Sequence, residues 1–280
     1  MKVGMNLLLW TGTVTPDHLG LLDRLAALGF DGVELPMYDL AASPWRSIGQ
    51  RLDDLGLART AVTIVQEESN LLSADPAVRQ RGVDHLRACL DQCATLGVEV
   101  LSGPFVTPVG KLVGRGATAD EWQRAVAGLR PAAEHARAVG VTLAYEPLNR
   151  FETYFATTAA EATALAAEVG VEGFGFLFDT FHANLEERDP CASVRAAGHA
   201  LRHFHISEND RSTPGTGHVP FGRLLAALRE IGYDGWLTIE AFGQALPELA
   251  AATCIWRRMY ATEDQLAADG LAFVRGLLAG

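Results

Sequence analysis

The sequence contains little cysteine, and its cysteines form no functional pattern. Cys89, Cys93, Cys191 and Cys254 have neither the spacing of zinc ligands nor that of a disulfide framework. We interpret them as small buried thiols, because free cysteine is among the most buried residue types. Reduced thiols of this kind are typical of a reducing cytoplasm, which is the location that we expect.

Long apolar runs and an excess of positive charge are also absent. The apolar stretch within the first ten residues is too short for a membrane span and lacks the flanks of a secretion signal. We therefore expect no membrane partner. Lys and Arg number 23 against 34 Asp and Glu, a formal net charge of -11. This acidity argues against a nucleic-acid partner, since such proteins need a basic face.

Two nucleotide-binding signatures are missing as well. No G-x-G-x-x-G follows the first predicted strand, where a dinucleotide-binding fold would carry it. The segment 109–116 is glycine-rich and contains Lys111 and Arg115, but its spacing is not that of a P-loop. We expect it to form a flexible loop.

A repeated sequence pattern runs through the chain: a helical segment, then a glycine, then a short apolar strand. Glycine stops a helix without steric cost because it adopts the left-handed conformation. It stands at six of the predicted helix ends, at Gly29, Gly56, Gly97, Gly140, Gly170 and Gly232. The six repeats of this pattern, with an opening strand at 3–9 and another at 201–206, predict eight strands. The predicted helices are 17–28, 45–55, 76–96, 119–139, 158–169, 190–200, 221–231 and 262–278.

Strict alternation of eight strands with eight helices predicts an α/β protein with the (β/α)₈ TIM-barrel fold. A doubly wound open sheet is the alternative, but nothing in such a sheet limits it to eight equal units. No linker or low-complexity stretch divides the 280 residues. We therefore predict a single domain that spans residues 1–280.

Four strands of this predicted barrel end in a residue that can bind a metal: Glu146, Asp179, His205 and Glu240. They close strands five to eight, which are neighbours, so the side chains can converge at one rim of the barrel. Three carboxylates and one imidazole suit a divalent cation such as Mn²⁺, Co²⁺ or Mg²⁺. Buried carboxylates also need such compensation.

Other residues near the predicted rim have less definite roles. Glu34 ends strand two, and we place it across the barrel from the four candidate ligands. His203 should point into the barrel one layer below His205, because side chains alternate along a strand. Gln66 and Glu67 follow strand three, and their roles stay open. The aromatic residues that follow strand ends are candidates for an apolar pocket wall, namely Trp10, Phe105 and Phe181, although core packing explains each of them equally well.

Four motifs together resemble a known enzyme family. They are E-P-L-N-R-F-E at 146–152, F-D-T-F-H at 178–182, H-x-H-x-x-E-N-D-R-x-x-P-G at 203–215 and T-I-E at 238–240. The family is that of the D-tagatose 3-epimerases and D-psicose (D-allulose) 3-epimerases, within the xylose-isomerase-like sugar isomerase/epimerase barrels. The motifs cover the carboxyl-terminal half in the expected order, whereas the amino-terminal half matches less closely.

The resemblance implies an activity and a role for each motif residue. It implies an isomerase that interconverts free ketoses at C3, such as D-tagatose with D-sorbose or D-fructose with D-psicose, through a metal-stabilised enediolate. One divalent ion per chain, Mn²⁺ or Co²⁺ in most of the family, would be held by Glu146, Asp179, His205 and Glu240. Glu146 and Glu240 would also be the catalytic acid/base pair. Glu152, His182 and Arg211 would hold the O1–O3 end of the sugar, and the chain would form a homodimer or homotetramer.

Three other functions are alternatives to this one. An aldose–ketose isomerase of the hydroxypyruvate or inosose type shares the metal and the enediolate, and it is the serious rival. An apurinic endonuclease would need several zinc ions and further histidines at other strand ends. A non-catalytic carbohydrate-binding protein would have no need of two glutamates opposed across a metal.

Overall fold

Eight parallel strands close into a barrel in chain order in the computed structural model, which describes all residues from Met1 to Gly280. The strands are β1 (Lys2–Asn6), β2 (Gly32–Pro36), β3 (Ala58–Val62), β4 (Val100–Gly103), β5 (Thr142–Tyr145), β6 (Phe174–Asp179), β7 (Leu201–Ile206) and β8 (Trp236–Ile239). Pairing of β1 with β8 completes the closure. The predicted (β/α)₈ fold is therefore confirmed.

Ten helices surround the strands: α1 (Leu19–Leu28), α2 (Trp45–Leu55), α3 (Pro76–Leu96), α4 (Ala119–Val139), α5 (Ala159–Val169), α6 (Thr180–Glu186), α7 (Pro190–Ala197), α8 (Phe221–Glu230), α9 (Pro247–Ala252) and α10 (Glu263–Ala279). Eight of them lie within three residues of the predicted bounds. The short helices α6 and α9 were not predicted, and they lie in the loops after β6 and β8. None of the ten is long and apolar enough to cross a membrane.

Local signals explain where these helices begin and end. Thr118 and Thr158 precede α4 and α5, and each hydroxyl accepts the backbone N–H of a glutamate three residues later. That glutamate carboxylate accepts the threonine backbone N–H in return, which is the capping box. Helix α1 ends at Gly29, whose φ of 99° is left-handed and favours glycine.

The first strand is shorter than predicted, because Asn6 ends it. The Asn6 side chain accepts the backbone N–H of Leu8 at 2.8 Å, and Leu7–Leu9 form a 3₁₀ turn instead of continuing the strand. This turn leaves Asn6 buried at the carboxyl end of β1. A second expectation is also wrong: three cysteines are buried, but Cys254 is exposed.

The largest apolar core, a cluster of 68 buried residues, includes outward-facing residues of the strands, such as Val3 and Met5, and buried faces of the helices. Inside the barrel, towards the carboxyl end, polar residues pack instead, including Glu34, Thr60, His203 and Thr238. Gly103 permits the ends of β3 and β4 to approach, since a Cβ there would lie 2.1 Å from the Thr63 carbonyl oxygen. The fold thus gathers polar groups at one end of a tightly packed barrel.

Candidate metal centre and pocket

The four predicted ligands converge at the carboxyl end of the barrel. Candidate ligand atoms of Glu146, Asp179, His205 and Glu240 all lie within 4.8 Å of one another, and all four residues are buried. His205 Nδ1 lies 3.5 Å from Asp179 Oδ2 and 3.4 Å from Glu240 Oε1. The convergence inferred from adjacent strand ends is thus present in the structure.

The chemistry of these donors fits a divalent cation. Asp179 Oδ1 accepts the backbone N–H groups of Phe181 and His182 at 2.6 and 3.2 Å, which caps α6 and fixes the carboxylate. Its other oxygen, Oδ2, is buried and has no hydrogen-bond partner. Neither ring nitrogen of His205 has an aligned partner. Buried polar atoms without partners are rare, and an oxygen-rich set with one imidazole suits Mn²⁺, Co²⁺ or Mg²⁺.

The pKa values of Glu146 and Glu240 are shifted in opposite directions. Burial, and next the charge of Glu240, raise the pKa of Glu146 well above its usual value. Burial also acts to raise the pKa of Glu240, but His205 and Arg211 outweigh it, and that pKa is lowered. The two neighbouring carboxyl groups therefore differ in pKa because Glu240 lies directly against His205 and Arg211, at 3.4 and 2.6 Å, while the charge of Glu240 itself raises the pKa of Glu146. A bound cation would neutralise this concentration of negative charge.

The three residues assigned to the sugar also lie at this site. Arg211 Nη1 is 2.6 Å from Glu240 Oε2, and Arg211 Nη2 is 3.1 Å from His182 Nε2. Glu152 Oε1 lies 3.9 Å from the same guanidinium. These three residues, together with Glu146 and Glu240, line one cavity of about 150 Å³. All seven residues singled out from the sequence therefore meet at one place.

Aromatic rings and a buried loop hold Arg211. Its guanidinium carbon lies 4.0 Å from the ring centroid of Phe181 and 4.6 Å from that of Phe242. Its backbone φ of 61° is left-handed, which is unusual for a residue other than glycine. The loop is tied by buried Glu208, whose carboxylate accepts the backbone N–H groups of Gly215 and Val219 at 2.8 and 3.1 Å. This tie makes Glu208 a structural residue, a role that sequence analysis did not predict.

Hydrogen-bond donors face both ring nitrogens of His182. The backbone N–H of Asn149 donates to Nδ1 at 3.0 Å, and Arg211 Nη2, which can only donate, lies 3.1 Å from Nε2. Burial, and next the charge of Arg211, lower the pKa of His182 to about 3. Nε2 faces Glu146 Oε1 at 3.5 Å. The side chain of Asn149 also donates to Glu152 at 2.8 Å, so this residue, not singled out in the E-P-L-N-R-F-E motif, orients two others.

The apolar wall of the pocket was predicted wrongly. Phe105 is fully buried in the core, Trp10 donates its indole N–H to Asp264, and Phe181 packs on Arg211. The apolar and aromatic side chains that line the cavity are instead Leu8, Tyr38, Val62, Ile64, Pro104, Val109, Leu148, Phe242 and Leu249. Glu67 and Gln66 do not line it. Glu67 pairs with Lys111 at 2.7 Å and ties the 109–116 loop to the rim.

Glu34 contacts the cluster, which was not predicted, although its strand β2 lies across the barrel from β6. Its Oε2 lies 2.8 Å from His205 Nε2, and its Oε1 accepts from His203 Nε2 at 2.8 Å. An eight-stranded barrel has an interior only wide enough for side chains to fill, so residues from distant strands meet there. Burial would raise the pKa of Glu34, but the charges of His205 and His203 lower it well below its usual range. His203 lies one layer below His205, as predicted.

Comparison with known proteins gives a consistent result. Residues 22–276 match the family model of the xylose isomerase-like TIM barrel. A ketose 3-epimerase from Arthrobacter globiformis is 32% identical over 99% of this chain and 97% of its own length. An L-ribulose 3-epimerase from Mesorhizobium japonicum is 32% identical over 98% and 93%, respectively. The crystal structure of a D-allulose 3-epimerase from Methylomonas sp. matches with a TM-score of 0.94 at 30% identity, and covers 99% of this chain and 98% of that one.

Proposed function

The chain belongs to the ketose 3-epimerases of the xylose isomerase-like TIM-barrel family, which are carbohydrate epimerases, and we propose that it is a metal-dependent 3-epimerase of free ketoses. One observation carries the proposal. Glu146 and Glu240 come from two different strand ends, belong to the same cluster of metal-type ligands, and both line the same pocket. A binding protein would not require this pairing, whereas an epimerase requires it.

The pairing supplies what epimerisation demands. A proton must leave the carbon beside the ketone and another must return to the opposite face, so two acid–base groups are needed. Glu146 after β5 and Glu240 after β8 would be those groups, one removing the proton while the other returns one. A divalent ion, when bound by Glu146, Asp179, His205 and Glu240, supplies a Lewis acid for the negative charge that develops on the substrate oxygens.

Polar groups at one end of the pocket would hold the reacting end of the sugar. His182 offers its Nε2, Arg211 offers several N–H groups, and Glu152 offers an acceptor, which together suit the O1–O3 oxygens of a ketose. The remaining wall is largely apolar. D-fructose with D-psicose and D-tagatose with D-sorbose are the substrate pairs that we propose. We further propose Mn²⁺ as the resident ion, with Co²⁺ or Mg²⁺ as alternatives, and a cytoplasmic homodimer or homotetramer.

Arg211→Lys should weaken substrate handling. Lysine keeps the charge but loses the planar fork and the packing between Phe181 and Phe242. Hydrogen bonds to charged groups contribute about 1.5–3 kcal/mol, so we expect kcat/KM to fall by roughly 10- to 100-fold. Steady-state kinetics on D-fructose would measure it. Arg150→Lys is the matched control, because Arg150 lies in a different loop, the one after β5, where it is exposed and pairs with Glu186. A change of less than threefold in Arg211→Lys would remove Arg211 from the substrate site.

The proposed function is tested by product analysis. We expect the metal-loaded protein, incubated with Mn²⁺ and a panel of free ketohexoses and ketopentoses in D₂O, to yield 3-epimers that carry deuterium at C3. Chromatography would identify the sugars, and NMR would locate the deuterium. An aldose product would favour the aldose–ketose isomerase instead. A protein that binds ketoses without any exchange would be a carbohydrate-binding protein, and both results would contradict the proposal.

A further inference from the structure

Glu34 is a fully buried carboxylate inside the barrel, and the proposed chemistry leaves it without a role. It does not line the cavity. Four donors surround it. Oε1 accepts from Thr60 Oγ1 at 2.9 Å and from His203 Nε2 at 2.8 Å. Oε2 accepts from Asn6 Nδ2 at 2.8 Å and lies 2.8 Å from His205 Nε2. Each oxygen thus has two neighbours that can donate.

The contact with His205 determines which ring nitrogen carries a proton. An unprotonated nitrogen lone pair 2.8 Å from a carboxylate oxygen would be repelled, so Nε2 carries the hydrogen even though the N–H···O angle is bent. The other nitrogen, Nδ1, is the one directed at Asp179 Oδ2 and Glu240 Oε1. A histidine bound to a metal through one nitrogen commonly donates the hydrogen of the other to a carboxylate.

We propose that Glu34 is a positioning residue for the metal centre: it accepts the Nε2 hydrogen of His205 and thereby leaves the Nδ1 lone pair free for the ion that His205 would bind together with Asp179 and Glu240. This inference rests on the proposed metal-dependent function. Glu34 acts through His205 and touches neither the pocket nor the sugar. Its negative charge also increases the electron density that the imidazole can give to a cation.

Asn6 connects Glu34 to a second member of the cluster. Its amide group donates to Glu34 Oε2 at 2.8 Å and to Glu240 Oε1 at 3.2 Å. Its carbonyl oxygen is held by the Leu8 backbone, so the amide cannot turn around without losing that bond. Glu34 is therefore linked through Asn6 to a proposed catalytic carboxylate, as well as contacting a ligand histidine directly. Asn6 is in place for this link because β1 ends there.

Glu34, His203 and His205 also satisfy the distance criterion for a metal cluster of their own. The direct contacts of 2.8 Å, a hydrogen bond from His203 Nε2 and a close approach of His205 Nε2, instead leave no space for an ion between nitrogen and oxygen. The two arrangements predict different stoichiometries. Positioning by Glu34 requires one divalent ion per chain, whereas a second metal site would give two.

Glu34→Gln is the direct test, because glutamine keeps the shape but loses the charge. Its amide can accept on only one side, so it cannot serve both His203 and His205 in their present tautomers. We expect the Kd for Mn²⁺, measured by calorimetry on metal-stripped protein, to rise about 10- to 100-fold while wild-type protein binds one ion. The control is Glu99→Gln, the same replacement at the amino end of the barrel, where Glu99 accepts from Lys2 and Trp236. It should leave the Kd unchanged.

A second measurement needs no variant. Histidine ¹⁵N NMR of the wild-type protein loaded with Mg²⁺ should show His205 protonated on Nε2 and metal-shifted on Nδ1. The opposite assignment, two ions per chain, or an unchanged Kd in Glu34→Gln would each overturn the inference while leaving the proposed function intact. A wild-type protein that binds no divalent ion would overturn the metal-dependent function and this inference together.

Discussion

Replacing either Glu146 or Glu240 with glutamine should reduce kcat for 3-epimerisation by roughly 10²–10⁴-fold, the range that positioned acid–base groups contribute. Glutamine has nearly the same shape and can still offer an oxygen to a cation, but it cannot take up or return a proton. Both glutamates are almost fully buried, so water cannot easily replace them as a base. Kinetics at saturating Mn²⁺, with the metal content measured in parallel, would separate proton transfer from loss of the ion.

Hydrogen exchange makes this prediction sharper. If the two glutamates act on opposite faces, each single variant keeps one working base. It should exchange the C3 hydrogen of one epimer with D₂O without forming the other epimer, and the two variants should select opposite epimers. NMR of D-fructose and D-psicose incubated with each variant would show this. A merely structural or metal-binding role would slow exchange in both epimers equally.

Glu99→Gln is again the matched control, since it lies outside the pocket and should retain full activity. Substantial epimerisation by both Glu146→Gln and Glu240→Gln would remove the acid–base assignment. The metal centre itself would survive that result, because Asp179 and His205 do not depend on it. The outcome therefore tests the chemistry and not the fold.

The fold could be predicted because its signals are local and repeated. A glycine after each helical segment, followed by a short apolar strand, marks the units, and β8 pairs with β1. Helices α6 and α9 escaped prediction because each is shorter than two turns and depends on tertiary context. Helix α6, for example, begins where Asp179 caps it with the oxygen that does not face the cluster. Asp179 was predicted as a metal ligand at a strand end, but its role as the N-cap of α6 was not predicted.

The candidate site could be predicted in part, for a related reason. Residues at the ends of adjacent strands must lie near one another, which brings Glu146, Asp179, His205 and Glu240 together. Contacts across the barrel depend on its width, which no local pattern reveals, so the contact of Glu34 with His205 was not predicted. The pocket wall was missed similarly: Tyr38 and Phe242 line it because loops after β2 and β8 fold inward. Strand periodicity carries no information about such loops.

Asp179→Asn should abolish high-affinity metal binding and, with it, activity. Asp179 is the one carboxylate ligand that has no proposed role in proton transfer, so its loss tests the metal alone. Asparagine is as good a helix cap as aspartate, and its carbonyl oxygen can still accept from Phe181 and His182. The buried Oδ2, which has no other partner, becomes an amide group that cannot ligate. We expect the Kd for Mn²⁺ to rise more than about 100-fold, with partial rescue of kcat at high Mn²⁺.

Thermal unfolding gives a readout that does not depend on turnover. A ligand at 100 times its Kd stabilises the folded state by about 2.7 kcal/mol, so Mn²⁺ should raise the Tm of the wild-type protein but not that of Asp179→Asn. Asp189→Asn is the matched control, because Asp189 caps α7 in the same way, accepting from Cys191 and Ala192, and lies outside the cluster. It should respond to Mn²⁺ as the wild type does. An equal rise in Tm for Asp179→Asn would place the ion elsewhere in the molecule, since the cap is preserved in both variants and only the ligand is lost.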